Sequence, residues 1–108
     1  MRKFAESGRK SLKISWTKAA ITDLNEIEDY IKQDDERAAI KQVLRILDII
    51  EETISEKPKI GRIGRISGTR EFYVPGTPYI IAYKISQDNT IIDILRVLHG
   101  ARRWPNRI

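Results

Sequence analysis

REFYVPGTPYIIAYKISQDNTIIDILRVLH, residues 70–99, is the stretch that decides the fold. Arg70 to Val74 reads as a strand. Pro75-Gly76 then fits the two central positions of a type II turn, where proline presets φ and glycine accepts a positive one. Tyr79 to Ile85 is a second strand, Asp88-Asn89 a second turn, and Ile91 to His99 a third strand. Consecutive strands joined by short turns predict a three-stranded antiparallel meander. In the last strand both alternating sets are largely apolar: Ile92, Ile94 and Leu98 on one side, Ile91, Leu95 and Val97 on the other. Such a strand is covered on both faces, or covered on one and awaiting a partner on the other.

Upstream the period changes. Ala20, Leu24, Ile27 and Ile31 recur at three- and four-residue steps, which marks an amphipathic helix opened by Thr17 as its N-cap. Asp34-Asp35-Glu36 interrupts that pattern and supplies a second helix start, since acids suit the positive end of a helix dipole. Ala39, Val43, Ile46, Leu47, Ile50 and Ile54 form the second stripe, which is expected to run to Lys57-Pro58. The short link between the stripes predicts an antiparallel helical hairpin. Before it, Leu12-Lys13-Ile14-Ser15-Trp16 alternates as a half-buried strand does. The expectation is an α+β fold: N-terminal strand, helical hairpin, three-stranded meander. Residues 1–11 are expected to be a flexible basic extension and residues 12–108 a single domain, a normal domain size.

Composition narrows the function. The chain has 108 residues, no cysteine and one histidine. That excludes a disulfide framework, a thiolate zinc site and a cysteine nucleophile. A histidine-rich metal site is excluded as well, and no carboxylate cluster has calcium-loop spacing, so neither metal nor cofactor is expected. Gly61 and Gly64 are followed by arginines, so there is no phosphate-binding P-loop. Apolar runs reach about four residues where a membrane span needs roughly twenty. MRKFAESGRK has no apolar stretch after it and does not read as a secretory signal, so a cytoplasmic protein is expected.

The net charge of +5 is unevenly spread. Residues 17–57 carry six Lys/Arg against eleven Asp/Glu, and residues 58–108 carry nine against three. The acidic helical segment is most simply a solvated face. The C-terminal half interleaves Arg62, Arg65, Arg70, Arg96, Arg102 and Arg103 with Tyr73, Tyr79, Tyr83, His99 and Trp104. Arginines grip phosphate or carboxylate and aromatic rings stack on bases, so an anionic partner is expected. With a histidine or tyrosine to move protons, the same groups could cleave RNA. Tyr83 shares a strand face with Ile81 and Ile85, which favours core packing. Arg96 lies among apolar residues and is expected to be paired.

Several short motifs, in their order, carry a resemblance. They are Trp16 with Ala20 and Asp23-Leu24, Pro58 with Gly61-Arg62, and Gly68-Thr69-Arg70-Glu71. Pro78-Tyr79-Ile80-Ile81-Ala82-Tyr83 follows, then Ile94-Leu95-Arg96-Val97-Leu98-His99-Gly100-Ala101-Arg102-Arg103-Trp104. Over roughly residues 12–104 the chain resembles the RelE/ParE superfamily of type II toxin–antitoxin modules.

The resemblance implies a growth-inhibiting toxin neutralised by a cognate antitoxin, an acidic amphipathic segment that orders on binding. RelE-like members cleave mRNA in the ribosomal A site, using lysines on the first meander strand, an arginine on the second and further groups near the C-terminus. ParE-like members inhibit DNA gyrase, with no nuclease chemistry ascribed to them. Here Glu71 to Val74 contains no lysine, Ile80 stands where the second-strand arginine would, and only His99 and Arg102 match. The sequence is therefore more ParE-like, with gyrase as the expected target. A ribosome-dependent ribonuclease built from His99, Arg102, Arg70 and Arg65 is the alternative, and a non-catalytic nucleic-acid-binding module a third. Contacts to target or nucleic acid are expected from Arg62, Arg65, Arg70, Tyr79, Arg96, Arg102, Arg103 and Trp104. The antitoxin is expected to use an apolar groove of Ile27, Ile31 and Ile81, rimmed by Arg102 and Arg103.

Overall fold

The computed structural model describes residues 11–108, so all but the last residue of the expected N-terminal extension lies outside the described residues. Strand β1 (Lys13–Trp16) leads into helix α1 (Lys18–Lys32), and a tight link leads into α2 (Glu36–Ile49). Then come β2 (Arg62–Ile63), β3 (Arg70–Tyr73), β4 (Tyr79–Ile85) and β5 (Ile91–His99). The strands form one five-stranded sheet in the order β1-β5-β4-β3-β2. The arrangement is α+β, with the helical hairpin packed on one face of the sheet.

Local chemistry explains the element boundaries. Thr17 Oγ1 accepts the Ala20 N–H at 3.0 Å and caps α1. Its hydroxyl also donates to the Leu95 carbonyl at 2.8 Å, so the cap residue ties the helix start to β5. Asp35 caps α2 by accepting from Ala38 N–H. Thr77 N–H donates to the Val74 carbonyl across Pro75-Gly76, and Gly76 has φ +78, as a type II turn requires. At the second turn Asn89 takes φ 58. Asparagine tolerates this left-handed region better than most residues.

Two expectations need correction, and one stretch left without an element gains structure. The second helix is not regular to Lys57: α2 ends at Ile49 and the chain widens into a π-turn over Ile50–Ile54. That turn still buries Ile50 and Ile54. The arginine–glycine stretch after Pro58 holds a 3₁₀ turn (Pro58–Ile60) and the two-residue edge strand β2. Finally, the alternation of β5 breaks at a bulge. Ala82 pairs with Arg96 but Tyr83 pairs with Ile94, leaving Leu95 as the extra residue. The set facing the helices is therefore Ile92, Ile94 and Val97, not Ile92, Ile94 and Leu98.

That face closes the core with Ala20 and Ile27 from α1 and with Ile46, Ile50 and Ile54 from α2 and its extension. Tyr79, Ile81 and Tyr83 from β4 complete it. Tyr83 is fully buried. Its hydroxyl donates to the Pro58 carbonyl at 2.6 Å and accepts the Gly61 N–H at 2.9 Å. The phenol thus staples the loop after α2 to the centre of the sheet, and burial raises its pKa above the usual tyrosine range. The partner that β5 awaited is β1, paired in parallel from Lys13↔Ile91 to Trp16↔Ile94.

Candidate functional site

The expected site residues divide between the two faces of the sheet. In an antiparallel ladder, residues directly opposite share a face. Glu71 lies opposite Ala82, and Tyr73 opposite Ile80, which itself faces Leu98. These residues point away from the helices. Phe72, Ile81 and Val97 form the alternate row, as do Tyr79 and His99, and these point toward them.

On the helix-free face the centre is Glu71, only 3% exposed. Its carboxylate accepts from Arg65 Nε at 3.0 Å, Arg65 Nη2 at 3.1 Å, the Arg65 backbone N–H at 2.8 Å and Arg62 Nη2 at 3.1 Å. Burial pushes the carboxyl pKa up, but the hydrogen bonds from Arg65 and Arg62 and the charge of Arg65 outweigh it. The group is held below the ordinary carboxylate range. Arg65 also lies over the Trp104 ring, 3.7 Å from its centroid, a cation–π contact. Ile80 is 1% exposed and contributes only methyl groups here.

Arg70 is elsewhere. Its Nη1 donates to the Gly61 carbonyl at 2.7 Å, and Arg70 pairs with Tyr83 along the ladder. His99 pairs with Tyr79, four strand residues away, which is about 13 Å along the strand direction. The structure therefore does not assemble His99, Arg102, Arg70 and Arg65 at one point.

On the helix-facing side His99 and Arg102 line a pocket of about 370 Å³ with Glu26, Ile27, Tyr30 and Tyr79. The His99 and Tyr79 rings meet edge to face at 5.9 Å. His99 Nδ1 accepts the Ala101 N–H at 3.1 Å, which puts the proton of the neutral ring on Nε2. Burial, with a smaller contribution from Tyr30, raises the Tyr79 pKa.

Asp23, which also lines this pocket, forms the ion pair expected of Arg96. Asp23 accepts from Arg96 Nε at 2.7 Å, Arg96 Nη2 at 2.9 Å and the Val97 N–H at 2.9 Å. Hydrogen bonding to Asp23 raises the Arg96 pKa, so this guanidinium stays charged and committed. Two of the three apolar groove residues lie nearby: Ile27, on the pocket wall, and Ile31, half-buried on α1. Ile81 is a correction. It is fully buried beneath the helices and offers an approaching chain no surface.

Among the described residues Arg102 and Arg103 form no ion pair, and both are exposed. Of the eight residues expected to contact target, Arg62, Arg65, Arg70 and Arg96 are engaged internally and Tyr79 is 7% exposed. The residues that sequence reasoning missed are Glu71, the acid that holds Arg62 and Arg65, and Asp23, the acid that holds Arg96. A signal for Glu71 was present: it is the lone acid between residues 58 and 87. Among the described residues no cluster of His, Asp or Glu could hold a metal ion. No helix of the described residues is long and apolar enough to cross a membrane.

Known proteins are similar to this chain. Y4kP of Sinorhizobium fredii, named as a candidate toxin, is 43% identical over 93 residues, covering 86% of this chain and 93% of that one. Toxin RelE2 of Caulobacter vibrioides is 34% identical over 89 residues, 82% of this chain and 96% of its own. Among solved structures, the chromosomal ParDE toxin–antitoxin system of P. aeruginosa contains a chain that superposes with a TM-score of 0.70 at 22% identity. The match covers 82% of this chain and 96% of that one. The sequence profile of one family, described as the ParE toxin of the type II toxin–antitoxin system parDE, matches residues 14–104. That span runs from β1 to Trp104 and takes in both faces of the sheet, so the chain belongs to the ParE toxin family of type II toxin–antitoxin systems.

Proposed function

We propose that this toxin inhibits growth by binding DNA gyrase and not by cleaving RNA. The observation that carries the reading is Glu71. Stabilising a phosphoryl transition state requires donors aimed at the charge that develops. Where ribonuclease relatives are expected to place lysines, this chain buries a carboxylate and consumes two arginines to neutralise it. Beside it Ile80 supplies no donor, and His99 faces the other side of the sheet. Two assays test this. Purified toxin should block gyrase supercoiling and leave mRNA on programmed ribosomes uncut; robust A-site cleavage abolished by His99→Ala would overturn the reading.

A cognate antitoxin is the second partner in this proposal, supported by the P. aeruginosa ParDE system that shares the fold. The pocket between α1 and the end of β5 offers apolar anchors in Ile27 and Val97 beside Arg102. An acidic amphipathic segment that folds on contact fits those groups. Apolar anchors keep most of their contribution when salt screens charge, so the complex should persist at a few hundred millimolar salt.

A further inference from the structure

Residues 100–104 leave the end of β5 and bring Trp104 back to the helix-free face, under the Arg65 guanidinium. Three groups stand in series there. Glu71, on β3, accepts from Nε and Nη2 of Arg65 and from the Arg65 backbone N–H. Arg65, so fixed, lies 3.7 Å from the Trp104 ring centroid. Trp104 in turn carries the tail that ends in Pro105-Asn106-Arg107-Ile108. A second observation is independent of the stack: Trp104 Nε1 is buried and has no hydrogen-bond partner among the described residues. A buried donor without an acceptor favours any state in which it finds one, in water or on another molecule.

We propose that residues 100–108 form a latched strap, held down by Arg65 as set by Glu71 and poised to release because Trp104 Nε1 meets no acceptor among the described residues when docked. Glu71 and Arg65 are positioning residues in this scheme. Neither need touch a partner, yet both decide whether Arg102, Arg103 and Trp104 are offered from a fixed base or from a free end. The release favours a partner that brings a carbonyl or carboxylate acceptor to the indole. The inference does not depend on which target the toxin meets.

The chain has two tryptophans, Trp16 and Trp104, so the test is direct. Full-length protein is labelled with 5-fluorotryptophan, and its two ¹⁹F resonances are assigned with Trp104→Phe. Solvent exposure of each indole is then read from paramagnetic broadening by a soluble relaxation agent. Arg65→Ala should raise the broadening of the Trp104 resonance severalfold, toward its value in urea, and leave that of Trp16 unchanged. Arg65→Lys keeps the charge but loses the planar stack, and should give an intermediate value. Glu71→Gln should act on Trp104 in the same direction. Were Arg65→Ala to disturb both resonances through loss of fold, Arg65→Lys decides alone. A Trp104 resonance as protected in Arg65→Lys as in the parent overturns the latch.

Discussion

Asp23→Ala is the substitution whose consequence the structure defines most fully. Asp23 is 5% exposed and accepts three hydrogen bonds, two from Arg96 and one from the Val97 N–H at the open edge of β5. β1 pairs with β5 only as far as Ile94, so the carboxylate takes over where the neighbouring strand stops. Removing one partner of a buried pair costs about 3–5 kcal/mol, because a charge is left uncompensated. The Arg96 side chain is 25% exposed and can recover some hydration, which pulls the value toward the lower end. The Val97 N–H is buried and adds its own penalty of about 1 kcal/mol or more. A net loss of about 3 kcal/mol follows, a fall in melting temperature of roughly 12 °C or more for a domain of this size. Urea denaturation followed by far-ultraviolet circular dichroism measures it. The double variant Asp23→Ala/Arg96→Met should be more stable than Asp23→Ala alone, since removing both charges is far cheaper than stranding one. Additive losses in the cycle, or a single-variant cost below about 1 kcal/mol, would refute the account.

Three further outcomes are expected. Because the Glu71 pKa is lowered in the fold from 4.5, its pairing contributes stability above that pH and loses it as pH falls through the folded value. Urea midpoints between pH 3 and 6 should therefore drop in the parent and flatten in Glu71→Gln. Tyr83→Phe leaves the Gly61 N–H and the Pro58 carbonyl without their shared hydroxyl, and should cost about 1–3 kcal/mol by the same denaturation assay. Deleting residues 102–108 should abolish growth inhibition in cells while the purified domain still melts cooperatively and binds antitoxin, because the core contains no tail residue.

Both helices were legible in the sequence because their cores obey a 3.6-residue period that no competing signal disturbs. The turn at Pro75-Gly76 was legible because the chemistry of each residue permits little else. The face assignment of β5 was not. Strict alternation puts Leu98 with Ile94, and the single extra residue at Leu95 puts Val97 there instead. A bulge inside an all-apolar strand changes no hydropathy pattern, so nothing marks it. The arginines posed a different difficulty. Arg96 could be read as paired, yet its partner is 73 residues away and belongs to a helix surface that looked merely solvated. Arg62 and Arg65 looked free because the acid that binds them sits beyond a loop, in a strand chosen for its β-branched and aromatic neighbours. Local patterns report local structure; the site is made of pairings that only the closed sheet creates.

The parallel pairing of the first strand with the last sets the order in which this protein can become whole. Thr17 and Leu95, joined by a hydrogen bond, are 78 residues apart, and β5 is the strand on which β1, β4 and α1 all converge. Contacts of such long sequence separation form late, since the loop they close must be paid for first. During synthesis the helical hairpin can form as it emerges, but its apolar stripe has no complete sheet to cover until β5 has emerged. A chain stalled before β5 is left with no native fold to reach. The protein therefore acquires its folded surface only once β5 has been made, and until then a partner meets a hairpin and loose strands, not a toxin.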